Sequence, residues 1–409
     1  MPRLHLTVVC VKWEVYKMNE ILDMSIHEMA KATFACSCGR THSLDIDQIV
    51  MGQGAIKDLP KILSDYKDQR LYLLSDNHTY EAAGKEVEKI LEGAGYQTKQ
   101  TVLDSGDGIL IPDEKAVGKM FMELEENTGM IVAIGSGTLN DMAKYMSSRT
   151  QIPYTIVCTA PSMDGYASDG APLMNGGKKI SYKATLPYAI VGDTDIMKNA
   201  PMRMIYAGYG DVIGKLTALA DWKLSQEKTG EYYCDTIVKL VEKAVDKVVG
   251  HTEELANREE EAVLYLIEAL TLTGVAMGLI GVSRPASGAE HMLSHYLEMA
   301  FIAQGKYPEL HGIKVGIATP IIAAVFDEMQ EVLPESVKKM APSRAYIENL
   351  LTKVGAPIDP NEIGIDRNLF YHCLLEGNTV RERYSVLDLA VEEGKIKEIA
   401  EKITNRFYE

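Results

Sequence analysis

A chain of 409 residues, 46% hydrophobic and 24% charged, is too long for one simple core and reads as a soluble, globular protein of two domains. Its formal charge of −16 argues against nucleic acid or an anionic membrane as the main partner, because phosphate backbones are met by basic stripes. Six cysteines spread from Cys10 to Cys373 make no disulfide framework and point to a reducing cytoplasm.

The opening segment holds a short apolar run, LHLTVVCV, with no small-residue cleavage site, so a signal peptide is not expected. The codons of Trp13-Glu14-Val15 can contain a bacterial ribosome-binding sequence just upstream of Met18. Residues 1–17 are therefore expected to be a non-native extension. Next, CSCGRTH sets Cys36, Cys38 and His42 close together. These are soft metal ligands, but no second ligand cluster in the sequence completes a structural zinc site, and a hairpin turn at Gly39 is the simpler expectation.

From residue 70 strand and helix signals alternate. RLYLLSD (70–76), YQTKQTVLD (96–104), GMIVAIG (129–135), YTIVCTAP (154–161) and YAIVGD (188–193) predict strands, with helices over 79–95, 113–127 and 136–149. Such alternation implies a parallel sheet with crossover helices, the doubly wound pattern. Beyond MKNAPMR (197–203) only helical spacing is found, in 204–226, 233–250, 255–278, 343–355 and the C-terminal KIKEIAEKITNRF. The expected division is an α/β domain over 18–200 and an all-α domain over 201–409. AVLYLIEALTLTGVAMGLIGV (262–282) is long enough to span a bilayer, but Glu268 sits inside it and Gly274, Ala276 and Gly278 suit close packing against protein. A buried soluble helix is expected, with no membrane insertion.

Four stretches carry chemistry. IVAIGSGTLND (131–141) is a strand, a glycine-rich turn and a helix start, which lets backbone N–H groups approach a pyrophosphate. It is not the GxGxxG fingerprint, and a tight turn capped by Asn140 or Asp141 is the plainer reading. Asp76, ending the first of these strands, is placed either to bond a ribose hydroxyl or to cap a turn. TAPSMDGYASDG (159–170) crowds hydroxyls and carboxylates at the carboxyl end of the next strand, the edge where open α/β sheets bind ligands. AGYGDVIGK puts Asp211 at the opening of the first helix of the second half, where it either complements the helix dipole or joins a ligand set. Finally, HMLSHYLEMAFIAQGKYPELHG (291–312) places His291 and His295 on one helix face, with His311 beyond a Gly-Lys-Tyr-Pro break. One carboxylate and two imidazoles form a usual set for a catalytic divalent metal.

In their order, GSGTLND, TAPSMDGYAS, PMRMIYAGYGD, H-x3-H and the later HG resemble the glycerol-1-phosphate dehydrogenases, and the bacterial AraM-like branch in particular. That family sits in the superfamily of iron-containing alcohol dehydrogenases, glycerol dehydrogenases and dehydroquinate synthases. The resemblance covers about residues 20 to 400. It implies an N-terminal Rossmann-like domain, a helical C-terminal domain and a site in the cleft between them. It makes Asp211, His291 and His311 the metal ligands, with nickel or zinc the implied metal. It turns His295 and Asp164 toward the substrate and counts Asp211 among the substrate contacts; His295, expected to titrate near neutrality, or an ordered water would relay the proton. It assigns the NAD or NADP diphosphate to Gly135, Ser136, Gly137, Thr138, Leu139 and Asp141, hydroxyl contacts to Thr159 and Ser162, the nicotinamide side to Ser168 and the ribose to Asp76. The implied reaction is the reversible reduction of dihydroxyacetone phosphate to sn-glycerol 1-phosphate for lipid synthesis, in a cytoplasmic homodimer with a small phosphorylated triose as its substrate. Lys183, Arg203 and Lys314 lie near the motifs without a spacing that selects a phosphate ligand. Two relatives are alternatives: a glycerol dehydrogenase acting on an unphosphorylated polyol, and a dehydroquinate synthase-like lyase. The latter carries GGGV-x2-D-x2-GF where this chain reads GSGTLND-x2-KY, and a glutamate where this chain has Asp211.

Overall fold

The computed structural model describes Val15–Tyr16 and residues 21–408. Of the expected extension, only Val15–Tyr16 falls in this range; the rest of residues 1–17, and Met18, lie outside the described residues. Eleven strands are described: β1 (Val15–Tyr16), β2 (Thr33–Ala35), β3 (Thr41–Ser43), β4 (Gln48–Gly52), β5 (Arg70–Asp76), β6 (Gln97–Leu103), β7 (Thr128–Gly135), β8 (Tyr154–Cys158), β9 (Gly170–Asn175), β10 (Lys178–Lys183) and β11 (Ala189–Asp193). Six of them form one sheet in the order β4-β11-β8-β7-β5-β6. Every pairing in it is parallel.

Burial on both faces explains why β5, β7, β8 and β11 are continuous apolar runs. Tyr72, Leu74, Ile131 and Ala133 face one core, while Leu71, Leu73, Val132 and Ile134 face the other. From β5 the chain moves to β6 on one side and then to β7 on the other. The order therefore reverses between β5 and β7, whose carboxyl ends are Asp76 and Gly135. Ligands of open α/β sheets bind at such a reversal.

Three features go beyond the sequence reading. β4 adds an edge strand, β9 and β10 form an antiparallel hairpin, and β1 to β3 form a small ribbon. The turn expected at Gly39 does join β2 to β3, with φ of 85°. After β11 no strand follows among the described residues.

The second half is organised by two helices, Met202–Thr229 and His311–Glu328. They approach so closely that a Cβ on Gly312 would lie 1.9 Å from the Ala207 carbonyl oxygen, and one on Gly210 would lie 2.4 Å from the Gly312 oxygen. The apolar segment expected to be a buried helix forms Glu260–Ile280. It is long and apolar enough to cross a membrane, yet 67% of its most apolar window is buried inside the protein. Glu268, on that helix, pairs with Lys247 at 2.8 Å.

Candidate active site

The turn after β7 leads straight into the helix Gly137–Thr150, whose N-cap is Ser136. No side chain caps it, so neither Asn140 nor Asp141 plays the capping role the plainer reading gave them. Asn140 instead bonds the Gly165 carbonyl at 3.1 Å, and Asp141 pairs with the buried Lys144 at 3.0 Å. The first-turn amides of Gly137, Thr138 and Leu139 thus have no side-chain cap, an open helix end of the kind that suits an anion. Gly135 is required here because a Cβ would lie 2.3 Å from the Leu139 side chain. Alongside, the Thr159 amide donates to the Gly135 carbonyl at 3.0 Å, tying the ends of β7 and β8 together. Thr159 and Ser162 are buried. Ser168 receives a bond from Lys144 at 3.1 Å. Asp76 caps the next turn, accepting the Thr79 amide on one carboxylate oxygen at 2.7 Å.

Asp211 requires a correction. It does not open its helix but lies nine residues past the start at Met202, on a fully buried face. The glycines around it mimic a helix start in the sequence, but they serve helix-to-helix contact. Dipole compensation in the first turn is therefore not its role.

The ligand atoms of Asp211, His291 and His311 lie within 4.8 Å of one another. His291 Nε2 is 3.7 Å from Asp211 Oδ1, and its Nδ1 bonds Glu290 Oε1 at 2.7 Å. That second bond orients the ring and turns Nε2 toward Asp211, the arrangement usual behind a metal-bound histidine. Glu290 is fixed in turn by the Gly288 amide and the Thr217 hydroxyl at 2.7 and 2.8 Å. The donor set fits a divalent cation with open positions.

Sequence reasoning missed Lys215. Its ammonium is fully buried, 2.6 Å from Asp211 Oδ1 and 2.7 Å from Asp164 Oδ2. The Asp164 amide also donates to Asp211 Oδ2 at 3.0 Å. Burial would raise the Asp211 carboxyl, but Lys215 and the two imidazoles outweigh it and hold it well below the usual carboxylate range. Burial and the Asp211 charge raise Asp164 instead.

His295 stands beside the trio, its ring centroid 5.8 Å from that of His311. Burial brings its pKa down to about 4, helped by the nearby Arg381 and His291. The ring is neutral at pH 7, which corrects the expectation of titration near neutrality. A ring of charges surrounds it. Arg381 Nη2 lies 2.8 Å from His295 Nε2, and Glu298 Oε2 lies 3.6 Å from Nδ1. Glu298 Oε1 is shared by Lys179, from β10, at 2.8 Å and by the buried Lys314 at 3.0 Å. Arg381 has no carboxylate within ion-pair distance among the described residues. Of the other basic residues considered, Arg203 pairs with Glu309 and Lys183 is exposed at the end of β10.

With this geometry in view, comparison with known proteins is decisive. Residues 50–201 match the iron-containing alcohol dehydrogenase family. A glycerol-1-phosphate dehydrogenase [NAD(P)+] of Geobacillus stearothermophilus is 33% identical over 394 residues, which is 90% of this chain and 98% of the relative. The chain belongs to the glycerol-1-phosphate dehydrogenases. An archaeal glycerol-1-phosphate dehydrogenase, from Thermococcus kodakarensis, is 35% identical over 79% of this chain and 85% of its own length. In fold, the chain is similar to a glycerol dehydrogenase from Schizosaccharomyces pombe (TM-score 0.65, 18% identity, 88% of this chain and 90% of that one). The fold expected from the resemblance, a Rossmann-like parallel sheet followed by helices, is the fold observed.

Proposed function

We infer that the protein reversibly reduces dihydroxyacetone phosphate to sn-glycerol 1-phosphate at the expense of NAD(P)H, supplying lipid synthesis. The convergence of Asp211, His291 and His311 beside the open helix end at Gly137 carries this reading. The dinucleotide lobe is 18–200 and the helical lobe 201–409. Asp211, His291 and His311 hold the cation, nickel or zinc. When bound, the cation supplies Lewis-acid polarisation of the substrate carbonyl and the nicotinamide supplies the hydride.

The remaining work falls to the chain. The turn from Gly135 to Asp141 takes the diphosphate through the open amides of Gly137, Thr138 and Leu139, Asp76 bonds the ribose with its second carboxylate oxygen, and Thr159, Ser162 and Ser168 contribute hydroxyls. Lys215 offsets one of the two charges of the buried Asp211–Asp164 pair and fixes both carboxylates. Asp164 and the neutral His295 orient the substrate hydroxyls by hydrogen bonds. Around His295, Arg381, Lys179 and Lys314 set three cations against the single Glu298 carboxylate. That surplus suits a phosphomonoester, which carries about −1.5 to −2 at pH 7. It favours the phosphorylated substrate over a plain polyol. A cytoplasmic homodimer completes the reading.

The test is NAD(P)H oxidation with dihydroxyacetone phosphate, with dihydroxyacetone and with neither, each with and without added nickel or zinc. Metal-dependent oxidation that requires the phosphate ester is expected, with sn-glycerol 1-phosphate as the product on chiral analysis. Equal rates with both ketones would transfer the chain to the glycerol dehydrogenase reading, and the opposite enantiomer would overturn the assignment.

A further inference from the structure

The cysteine-containing turn that the sequence left incomplete gains its missing ligand in three dimensions. Cys234, the residue before the helix Asp235–Val249, brings its sulfur to Cys36, Cys38 and His42, and the four ligand atoms lie within 4.8 Å of one another. Cys36 Sγ is 3.6 Å from Cys234 Sγ, Cys38 Sγ is 3.3 Å from His42 Nε2, and Cys234 Sγ is 3.6 Å from the same nitrogen. A tetrahedron with Zn–S bonds of about 2.3 Å and Zn–N bonds of about 2.0–2.1 Å has S–S edges of about 3.8 Å and S–N edges of about 3.6 Å. The side chains therefore stand near the edges of such a tetrahedron.

The histidine tautomer agrees. His42 Nδ1 lies 2.8 Å from the Leu279 carbonyl oxygen, which can only accept, so Nδ1 carries the proton and the Nε2 lone pair faces the sulfurs. His42 is 1% exposed, so this lone pair is withdrawn from water. Two hydroxyls border the cluster: Thr236 Oγ1 accepts from the Cys36 thiol at 3.3 Å, and Tyr232 OH lies 3.1 Å from Cys38 Sγ, where it can donate to a thiolate. The contributing elements come from both ends of the fold. Cys36, Cys38 and His42 belong to the β2–β3 hairpin, while Cys234 and Leu279 belong to the helical half.

We propose that Cys36, Cys38, His42 and Cys234 form a closed, four-coordinate structural zinc site, separate from the Asp211–His291–His311 set, that staples the N-terminal ribbon to the helical half. Four protein ligands leave no position for substrate, which marks a structural site. A Cys36–Cys234 disulfide is the competing use of the same atoms, and it would leave Cys38 and His42 without a role.

The test uses the full-length chain with His291→Ala and His311→Ala, which removes the other ligand set. Native mass spectrometry is expected to find one zinc per chain. Cobalt substituted for it should give a thiolate-to-cobalt charge-transfer band and the intense ligand-field bands of a tetrahedral site. Adding Cys38→Ser and Cys234→Ser should abolish the zinc and the band and lower the thermal midpoint. Where that variant fails to fold, the cobalt spectrum of the cysteine-intact protein decides. A zinc-free, band-free His291→Ala/His311→Ala protein, or a mapped Cys36–Cys234 disulfide in the protein as isolated, would overturn the proposal.

Discussion

The two ligand clusters of this molecule differ in what surrounds them. Around Cys36, Cys38, His42 and Cys234 the neighbours are a carbonyl, two hydroxyls and an aromatic belt that includes Tyr232, over which Arg40 stacks at 3.5 Å. Around Asp211, His291 and His311 the neighbours are charged: Lys215, Glu290, Asp164 and, beyond His295, Arg381 and Glu298. The first cluster is self-sufficient and its shell only shapes it. The second brings together three ligand groups among the described residues, and its shell of charges is the kind that suits the proposed anionic substrate. The contrast is the one expected between a site that holds a fold and one that does chemistry, as proposed for the two clusters.

Substitutions can break that contrast, starting with the largest effect. Lys215→Met leaves two carboxylates facing each other in a dry interior. Breaking such a buried pair costs about 3–5 kcal/mol, so denaturant unfolding should show a loss of that size, with activity lost as well. His291→Ala should lower kcat by about 10³-fold, the equivalent of several kcal/mol of Lewis-acid stabilisation, while metal analysis still finds the cysteine-bound zinc. Arg381→Ala should reduce kcat/KM for dihydroxyacetone phosphate by about 10- to 100-fold, the worth of a charge-assisted hydrogen bond, and reduce it for dihydroxyacetone far less, by the part that comes through His295 alone. The smallest effect is expected from Glu290→Gln, which keeps the shape but weakens the bond to His291 Nδ1. Competition with a chelator should then show metal affinity about tenfold lower at the active site only.

What could be read from the sequence followed the length of the signal. β5, β7, β8 and β11 are continuous apolar runs because both faces are buried, and such runs stand out. β4, QIVMG, alternates buried with half-buried residues over only five positions; β9, GAPLMN, buries only Ala171 and Leu173, and its partner β10, KKISYK, is largely exposed and carries no apolar run. Local motifs offer Asp211 together with His291, His295 and His311, and the family resemblance selects His291 and His311 among the three. Residues that act from a distance left no local pattern. Lys215 looks like any helix lysine until its burial is known, and Arg381 lies in a connecting segment some seventy residues after the last histidine of the set. Cys234 is 192 positions from His42, the residue it meets. Asp211 was misplaced within its helix because glycines that serve packing look, in one dimension, like a turn.

Those glycines have a further consequence. A methyl group at position 312 touches no donor atom, yet the Ala207 oxygen would sit 1.9 Å from it, well inside the 3.5–4.0 Å at which nonbonded atoms rest. To accept it, the two helices would have to part by roughly 1.5 Å, carrying the carboxylate on one away from the imidazole on the other. Gly312→Ala would then behave as a lesion of metal coordination although the residue coordinates nothing. The bite of the Asp211–His311 pair is set by how near two backbones are allowed to come.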